Sequence, residues 1–331
     1  MGGIGALVLT YNREALLSRC LQAILTQSRL PDEVIVLDNA STDGTVALLR
    51  YGPFPNRERI RAYRLERNVG CAGGFDVLVR IGWQRGLDWI WCMDDDVIPD
   101  PTALEALLAA YGENFSRPEE VSFLVSAARS EAGAPSNVPE IDLRAPWLHC
   151  ANWADRLDRG LVRLRWSTFN SILIPRCTLN RIGGLCADLY YAGEDVDFTL
   201  RATEVAPGYL VGSSKVMHLR AADGVFSALT RSTRAQIALA RYYYRNTLYL
   251  RRRHYSRLRV ASFAGRCCLE ALLALAARPH RLRRAASILG GAVAGLWFAP
   301  RRLPLDRPLP ADLSELRLGA AASQAGAVAR A

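Results

Sequence analysis

The sequence predicts an α/β protein, a mostly parallel sheet flanked by helices, with a basic, amphipathic helical region after it. Between residues 4 and 112, strand-length apolar runs alternate with stretches of helical period, the pattern of βαβ units. Each run breaks at acidic, amide or glycine residues, and open parallel sheets hold ligands outside the carboxyl ends of their strands. From Arg231 onward, nineteen Arg and no Lys face four acidic residues (Glu270, Asp306, Asp312 and Glu315), so the first 230 residues are net acidic. This asymmetry divides the chain into an acidic front part, 1–230 (halves 1–112 and 113–230), and a basic helical part, 231–331.

Residues 6–9 predict a short buried strand, broken at Thr10-Tyr11-Asn12-Arg13. Over 14–27, apolar residues at 16, 17, 20, 21, 24 and 25 have helical spacing. Residues 33–37 predict a second strand, ending at Asp38-Asn39-Ala40-Ser41-Thr42-Asp43-Gly44, with a helix over 45–51 and a third strand over 60–65. Asn68 to Phe75 holds three glycines and opens a helix reaching about 85. Residues 89–93 predict a strand ending in Asp94-Asp95-Asp96, and 102–111 a helix. Residues 112–165 are less regular, with a strand over 121–127 and a loop over 129–150. Strands follow over 171–175, 209–211 and 214–218, with a helix from Glu194 to about 204 and another over 236–255. Two apolar stretches, 260–277 and 287–299, flank the basic segment 278–284. The second is too short to span a bilayer and the first carries Arg266 and Glu270. They read either as amphipathic helices on an anionic membrane surface or as helices packed on the domain with a solvated basic face. After Pro300 the chain is Pro- and Ala-rich, and its end is expected to be poorly ordered.

With 331 residues, half of them hydrophobic, the chain can bury a sizeable core, and its net charge of +10 resides in the tail. Eight cysteines without a Cys-x-x-Cys spacing argue against a disulfide framework or zinc site and fit a reducing cytoplasm. No signal peptide is expected, since 4–9 is only strand-length.

Three consecutive carboxylates after a buried strand repel one another and are hard to desolvate unpaired. A divalent cation, Mg²⁺ or Mn²⁺, relieves this and is often shared with substrate phosphates. In a regular strand Asp94 and Asp96 point to one side while Asp95 faces away. The plainer reading is an acidic helix start ahead of Pro99 and Pro101. Glu194-Asp195-Val196-Asp197 reads either as a helix cap or as a general base, with Asp195 taking a proton from a hydroxyl. His218 closes a strand, as a packed residue or a third metal ligand. The turn at Asn68–Gly70 offers backbone N–H groups to a diphosphate or is simply tight.

Taken together, Thr10-Tyr11-Asn12-Arg13, the segment from Asp38 to Thr45, Asn68-Val69-Gly70, Asp94-Asp95-Asp96 and Gly193-Glu194-Asp195-Val196-Asp197 resemble family 2 glycosyltransferases with the GT-A fold. Gly70-Cys71-Ala72-Gly73-Gly74-Phe75, Trp91-Cys92-Met93 and Tyr243-Tyr244-Arg245-Asn246 are most similar to bacterial galactofuranosyltransferases, with polysaccharide rhamnosyltransferases next. The resemblance implies inverting transfer from a UDP- or dTDP-sugar to a polyprenyl-diphosphate-linked glycan, at the cytoplasmic face of the cell membrane. Thr10, Tyr11, Asn12 and Asp38 would hold base and ribose, with Asn68, Gly70, Asp94 and Asp95 also on the donor side. Asp94, Asp96 and His218 would hold Mn²⁺ or Mg²⁺, and Asp195, or Glu194, would be the base. Trp166, Phe169, Asn170 and Asp197 would line the acceptor pocket. A nucleotidyltransferase is disfavoured because the first loop lacks Gly and Lys. A nucleic-acid binder is disfavoured because Arg spread among apolar stretches suits lipid better than a groove.

Overall fold

The structure, a computed structural model, describes residues 2–144, 152–219, 228–230, 233–276 and 279–319. Seven consecutive buried residues form β1 (Ile4–Thr10), the near-continuous apolar run expected of a parallel strand covered on both faces. The chain continues through α1 (Glu14–Ile24), β2 (Glu33–Asp38), α2 (Thr45–Tyr51), β3 (Ile60–Leu65), α3 (Gly70–Gln84), β4 (Trp89–Asp94), β5 (Val97–Pro99) and α4 (Ala103–Asn114). Then come β6 (Phe123–Arg129), β7 (Glu140–Ile141), β8 (Leu161–Trp166), β9 (Asn170–Pro175), α5 (Arg176–Ile182), α6 (Glu194–Val205) and β10 (Gly208–His218). Helices α7 (Arg234–His254), α8 (Arg257–Ala276) and α9 (Arg281–Trp297) precede a last short strand, β11 (Leu313–Glu315).

One sheet runs in the order β11-β3-β2-β1-β4-β9-β6-β10-β8-β7, with β5 pairing β10. Strands β3, β2, β1 and β4 are parallel, which gives residues 1–112 the expected architecture. Beyond β4 the sheet is mixed: β9 runs antiparallel to β4 and β6, and β10 runs parallel to β6. Alternate residues of β1 feed two layers. Ala6 and Val8 join Leu17, Leu21, Leu104 and Leu107, while Leu7 and Leu9 join Phe75, Leu78 and Phe198. Fully burying one such Leu contributes roughly 1.5–3 kcal/mol.

Three details depart from the sequence reading. The two strands expected at 209–211 and 214–218 are one strand, β10, with an irregularity between Val211 and Lys215. Strand β8 lies within the region expected to be irregular. Only Leu161 and Leu164 are buried along it, so its apolar signal is thin. After Pro300 the chain returns to the front part, where β11 pairs antiparallel with β3. Arg80, buried on α3, bonds Asp76 at 3.1 Å and the carbonyls of Arg307 and Pro308, which anchors this return. Of the anticipated stretches, 145–150 of the loop, Arg278 of the basic segment and the chain end from 320 lie outside the described residues.

Contacts also cross the boundary expected at residue 230. Tyr249 and Leu250 of α7 pack with Ala72, Leu189 and Leu200, whereas α7, α8 and α9 share their own core around Tyr244, Phe263 and Ile288. Gly291 and Gly295 make the α7–α9 approach possible, since a Cβ there would stand 2.5 and 2.6 Å from the carbonyl oxygens of Arg241 and Arg245.

Candidate active site

The parallel register brings Thr10 beside Asp38 and Leu9 beside Asp94, so the first three strand-end motifs open on one edge. Asp38 is fully buried; it accepts from the Ser41 N–H at 2.8 Å and faces Arg64 at 3.5 Å. Asn12, at φ 53°, accepts from Thr42 N–H at 2.7 Å, and its own N–H donates to Ser41 Oγ. Tyr11 is exposed beside them. Asn68 caps the next turn by accepting from Gly70 N–H at 2.8 Å. Gly70 has φ +77°, and a Cβ there would lie 2.2 Å from the Tyr190 carbonyl oxygen, so only glycine lets the 190 loop approach α3.

The aspartate triplet is arranged differently from a regular strand. Strand β4 stops at Asp94, and Asp95 and Asp96 sit in a turn. Asp95, expected to face away, instead accepts from Thr10 Oγ1 at 2.7 Å and from Arg13 at 3.0 Å. The same guanidinium reaches Asp96 at 2.8 Å. Burial raises the Asp95 carboxyl to about 6 even with Arg13 and Thr10 opposing it. Asp94 is pushed well above the usual carboxylate range, first by burial and then by Asp96, Asp95 and Glu194. Burial acts on Asp96 in the same direction, but His218 and Arg13 outweigh it and hold its carboxyl below the usual range.

His218 reaches this corner because β10 pairs antiparallel with β5, which sets His218 opposite Val97, and Leu219 N–H bonds the Asp96 carbonyl. Its Nε2 lies 3.3 Å from Asp96 Oδ1, an oxygen that accepts no hydrogen bond, and its Nδ1 lies 3.1 Å from Ser136 Oγ. An unbonded buried carboxylate oxygen beside an imidazole nitrogen fits a hard divalent cation. Among the described residues no three His, Cys, Asp or Glu groups gather closely enough to hold an ion by themselves. Asp96 and His218 thus form a partial donor set of the kind substrate phosphates complete.

The second acidic cluster stands at the start of α6. Gly193 precedes it at φ +97°, and Tyr190 and Ala192 also have positive φ, a run of strained backbone just ahead of Glu194 and Asp195. Asn246 on α7 holds this loop by donating to the carbonyls of Leu189, Tyr191 and Ala192 at 2.9, 3.0 and 2.7 Å. Arg245 donates to Asp188 and Leu189, and Tyr242 stacks on Tyr190 at 4.9 Å. Asp195 is half-buried; burial and then Glu194 push its carboxyl up to about 7. Glu194 is buried and raised by burial, with the Cys71 thiol bonded to it and Oε2 free of hydrogen bonds. Cys71 feels Glu194, Asp94 and Asp195 together, so the ends of β4, α3 and α6 meet at this thiol.

The expected acceptor residues separate. Trp166 is half-buried and donates to Glu140 at 2.5 Å. Asn170 is buried with an unbonded Nδ2. Phe169 packs edge-on between Phe75 and Phe198 in the core. Asp197 is fully buried and bonds Arg201, Tyr249 and Cys186, so it faces the interior rather than an acceptor. Sequence reading gave no role to Arg13, Cys71 or Asn246, although each lies inside a motif it singled out.

These strand-end carboxylates lie in the segment that matches a known family. Residues 6–116 fit the pattern described as glycosyl transferase family 2. This match lies in the first third of the chain, the part that carries β1 to α4. It is 38% identical over 105 residues to galactofuranosyltransferase GlfT1 of Mycolicibacterium smegmatis, covering 31% of this chain and 33% of that one. Against GlfT1 of Mycobacterium tuberculosis it is 34% identical over 121 residues, 34% and 37% of the two chains. The chain thus spans about a third of the length of these curated relatives. A 101-residue match at 34% identity links it to the succinoglycan biosynthesis protein ExoO of Rhizobium meliloti, 30% of this chain and 27% of that one. Among solved structures, GalNAc-T7 with UDP, GalNAc and Mn²⁺ superposes with a TM-score of 0.58 at 13% identity, over 88% of this chain and 55% of that one. S. aureus TarS superposes at 0.51 and 16%, over 90% and 44%. At such identities the likeness establishes the fold, which is GT-A-like.

Proposed function

We propose that this family 2 glycosyltransferase moves a sugar, galactofuranose in the favoured reading, from a nucleoside-diphosphate sugar to a hydroxyl of a lipid-linked glycan, with inversion. The observation that carries this is that Asp94 feels both Asp96, which His218 faces at 3.3 Å, and Glu194, the neighbour of Asp195, so the two acidic clusters share one corner of the sheet. Asp38 and the Thr10–Asn12 turn line the base and ribose side. Asp96 and His218, with Asp94 beside them, would hold a divalent metal, whose charge would offset that building on the departing diphosphate. Asp195 takes the proton from the acceptor hydroxyl. The hydroxyl oxygen then bonds to the anomeric carbon as the bond to the diphosphate oxygen breaks on the opposite face. A carboxyl raised to about 7 is matched to this work at neutral pH. Glu194 raises its neighbour by repulsion and is the alternative base.

The GlfT1 relatives support galactofuranose and ExoO supports polysaccharide synthesis, while rhamnose is the second donor choice by motif resemblance. No helix among the described residues is long and apolar enough to cross a membrane. Helix α8 nevertheless exposes Leu269, Leu272 and Leu273, and α9 exposes Val293 and Trp297, amid the Arg excess of this region. Such a face supports peripheral attachment to an anionic membrane at its cytoplasmic side.

The test is a donor screen by nucleotide release with Mn²⁺ and a polyprenyl-diphosphate glycan. Release from UDP-galactofuranose that requires the acceptor and disappears in Asp195→Asn is expected. Release from dTDP-rhamnose alone would move the donor to the second choice. No acceptor-dependent release from either, or full activity in both Asp195→Asn and Glu194→Gln, would sink the proposal.

A further inference from the structure

A groove of about 480 Å³ opens between the first turns of α7 and α9. Arg234 and Arg241 line it from α7 and Arg283 from α9, over a floor that includes Ile237, Ala286 and Gly290. Among the described residues none of these three guanidiniums has a carboxylate or other hydrogen-bond partner, although elsewhere in the fold arginines are commonly paired. Three like charges around one concavity repel one another, so the arrangement favours a multivalent anion. A larger cleft of about 770 Å³ lies beside β3 and β11, but Glu58 and Glu315 line it together with arginines and it is remote from the acidic clusters.

The groove adjoins the catalytic loop. Arg241 precedes Tyr242, whose ring stacks on Tyr190, and one turn further on Arg245 grips the Asp188 and Leu189 carbonyls. One helical turn is only about 5 Å of axial rise. Along α9, the exposed side chains of Leu282, Leu289, Val293 and Trp297 recur at helical spacing and form an apolar stripe beside the groove. The glycine contacts at 291 and 295 fix the two helices against each other, so the groove is held open by packed backbone rather than by side chains alone.

We propose that this groove seats the diphosphate of the lipid-linked acceptor, with the isoprenoid chain following the α9 stripe. The inference rests on the acceptor class proposed above and assigns it a place. An ordinary bilayer phosphodiester carries a single charge, whereas a diphosphate presents two or more to three guanidiniums able to bind it bidentately. The position beside Tyr190 would hold the lipid end of the acceptor while its glycan extends toward Asp195.

The test uses the full chain and neutral phosphatidylcholine vesicles carrying either a polyprenyl diphosphate or phosphatidylglycerol at matched surface charge. The wild type is expected to bind the polyprenyl diphosphate vesicles about tenfold more tightly. Combining Arg234→Gln, Arg241→Gln and Arg283→Gln is expected to erase that preference while leaving acceptor-independent nucleotide release unchanged. Arg234→Gln with Arg283→Gln, two exposed positions, gives the same reading should the triple change impair folding. Equal wild-type binding to the two vesicles, meaning a generic anionic surface, would overturn the assignment, as would an unchanged preference in the variants. Transfer by the wild type with an unaltered acceptor KM in the folded variants would also overturn the groove while leaving the transferase reading intact. Absence of any transfer by the wild type would strike that reading instead.

Discussion

At the ends of β1, β2 and β4, Thr10, Asp38 and Asp94 stand on neighbouring parallel strands, and short turns from the same half of the chain hold them. Glu194 and Asp195 stand instead behind a loop with three residues of positive φ, whose Leu189, Tyr191 and Ala192 carbonyls are gripped by Asn246, more than fifty residues later. The first arrangement is fixed by the sheet itself. The second depends on α7 docking, so the loop ahead of Glu194 is only as well placed as the C-terminal helix that supports it. Changes to α7 should therefore act on turnover, and changes at the strand ends on donor and metal binding.

The largest effect is expected from Asp195→Asn, a fall in kcat of about 10²–10⁴-fold with donor KM little changed. Steady-state kinetics alongside Glu194→Gln will show which carboxylate is the base, since only one should fall this far. Next comes Asn246→Leu, which removes the side-chain donor to Tyr191 and Ala192 and leaves the Leu189 carbonyl to Arg245. A fall in kcat of about tenfold or more is expected, with donor binding by calorimetry retained. A parallel fall in donor affinity would mean that the two halves are not separable.

Arg13 gives a smaller effect on the other side of the comparison. Its guanidinium bridges Asp95 and Asp96 and so stands where a cation is wanted. Arg13→Gln should lower the Tm of the metal-free protein yet enlarge the Tm gain on adding Mn²⁺, because the metal no longer competes with an internal charge. An identical Mn²⁺ shift in both proteins would show that the arginine and the metal do not compete.

The smallest effect is a pH signature. Asp195 has a folded pKa near 7, above the roughly 3.9 of an unfolded Asp. The unfolded carboxyl loses its proton first, so this group's contribution falls as pH rises from about 4 to about 7. Asp195→Asn should therefore raise Tm by a few degrees at about pH 7.5 and by less at about pH 4.5. The pH profile of wild-type kcat/KM should rise through neutrality, since the base must be ionised. A profile already flat from about pH 5 would assign the proton to another group.

The same contrast explains what the sequence disclosed. Runs such as 33–37 and 89–93 are uniformly apolar and end in polar clusters, so strands and site could be read together. Strand β8 buries only Leu161 and Leu164 among exposed or half-buried neighbours, too little to register as a strand. Asp95 departs from strand alternation because β4 ends at Asp94 and the next two residues form a turn. Phe169 and Asp197 have the right residue types for an acceptor wall, but their burial against Phe75 and Arg201 is decided by distant parts of the chain. Asn246 lay within a recognised motif, yet its partners can be named only once the fold is known.

The pairing of β11 with β3 also bears on the order in which this protein can be made. Ser314 bonds the Arg64 carbonyl, 250 residues earlier, so one border of the sheet stays uncovered until almost the whole described chain has emerged from the ribosome. A nascent chain carrying all of residues 1–112 would meanwhile present the open main-chain groups of β3 to its neighbours. Shortened versions ending before residue 313 should share that exposure permanently, and self-association at this border, rather than loss of the catalytic carboxylates, would then limit their use.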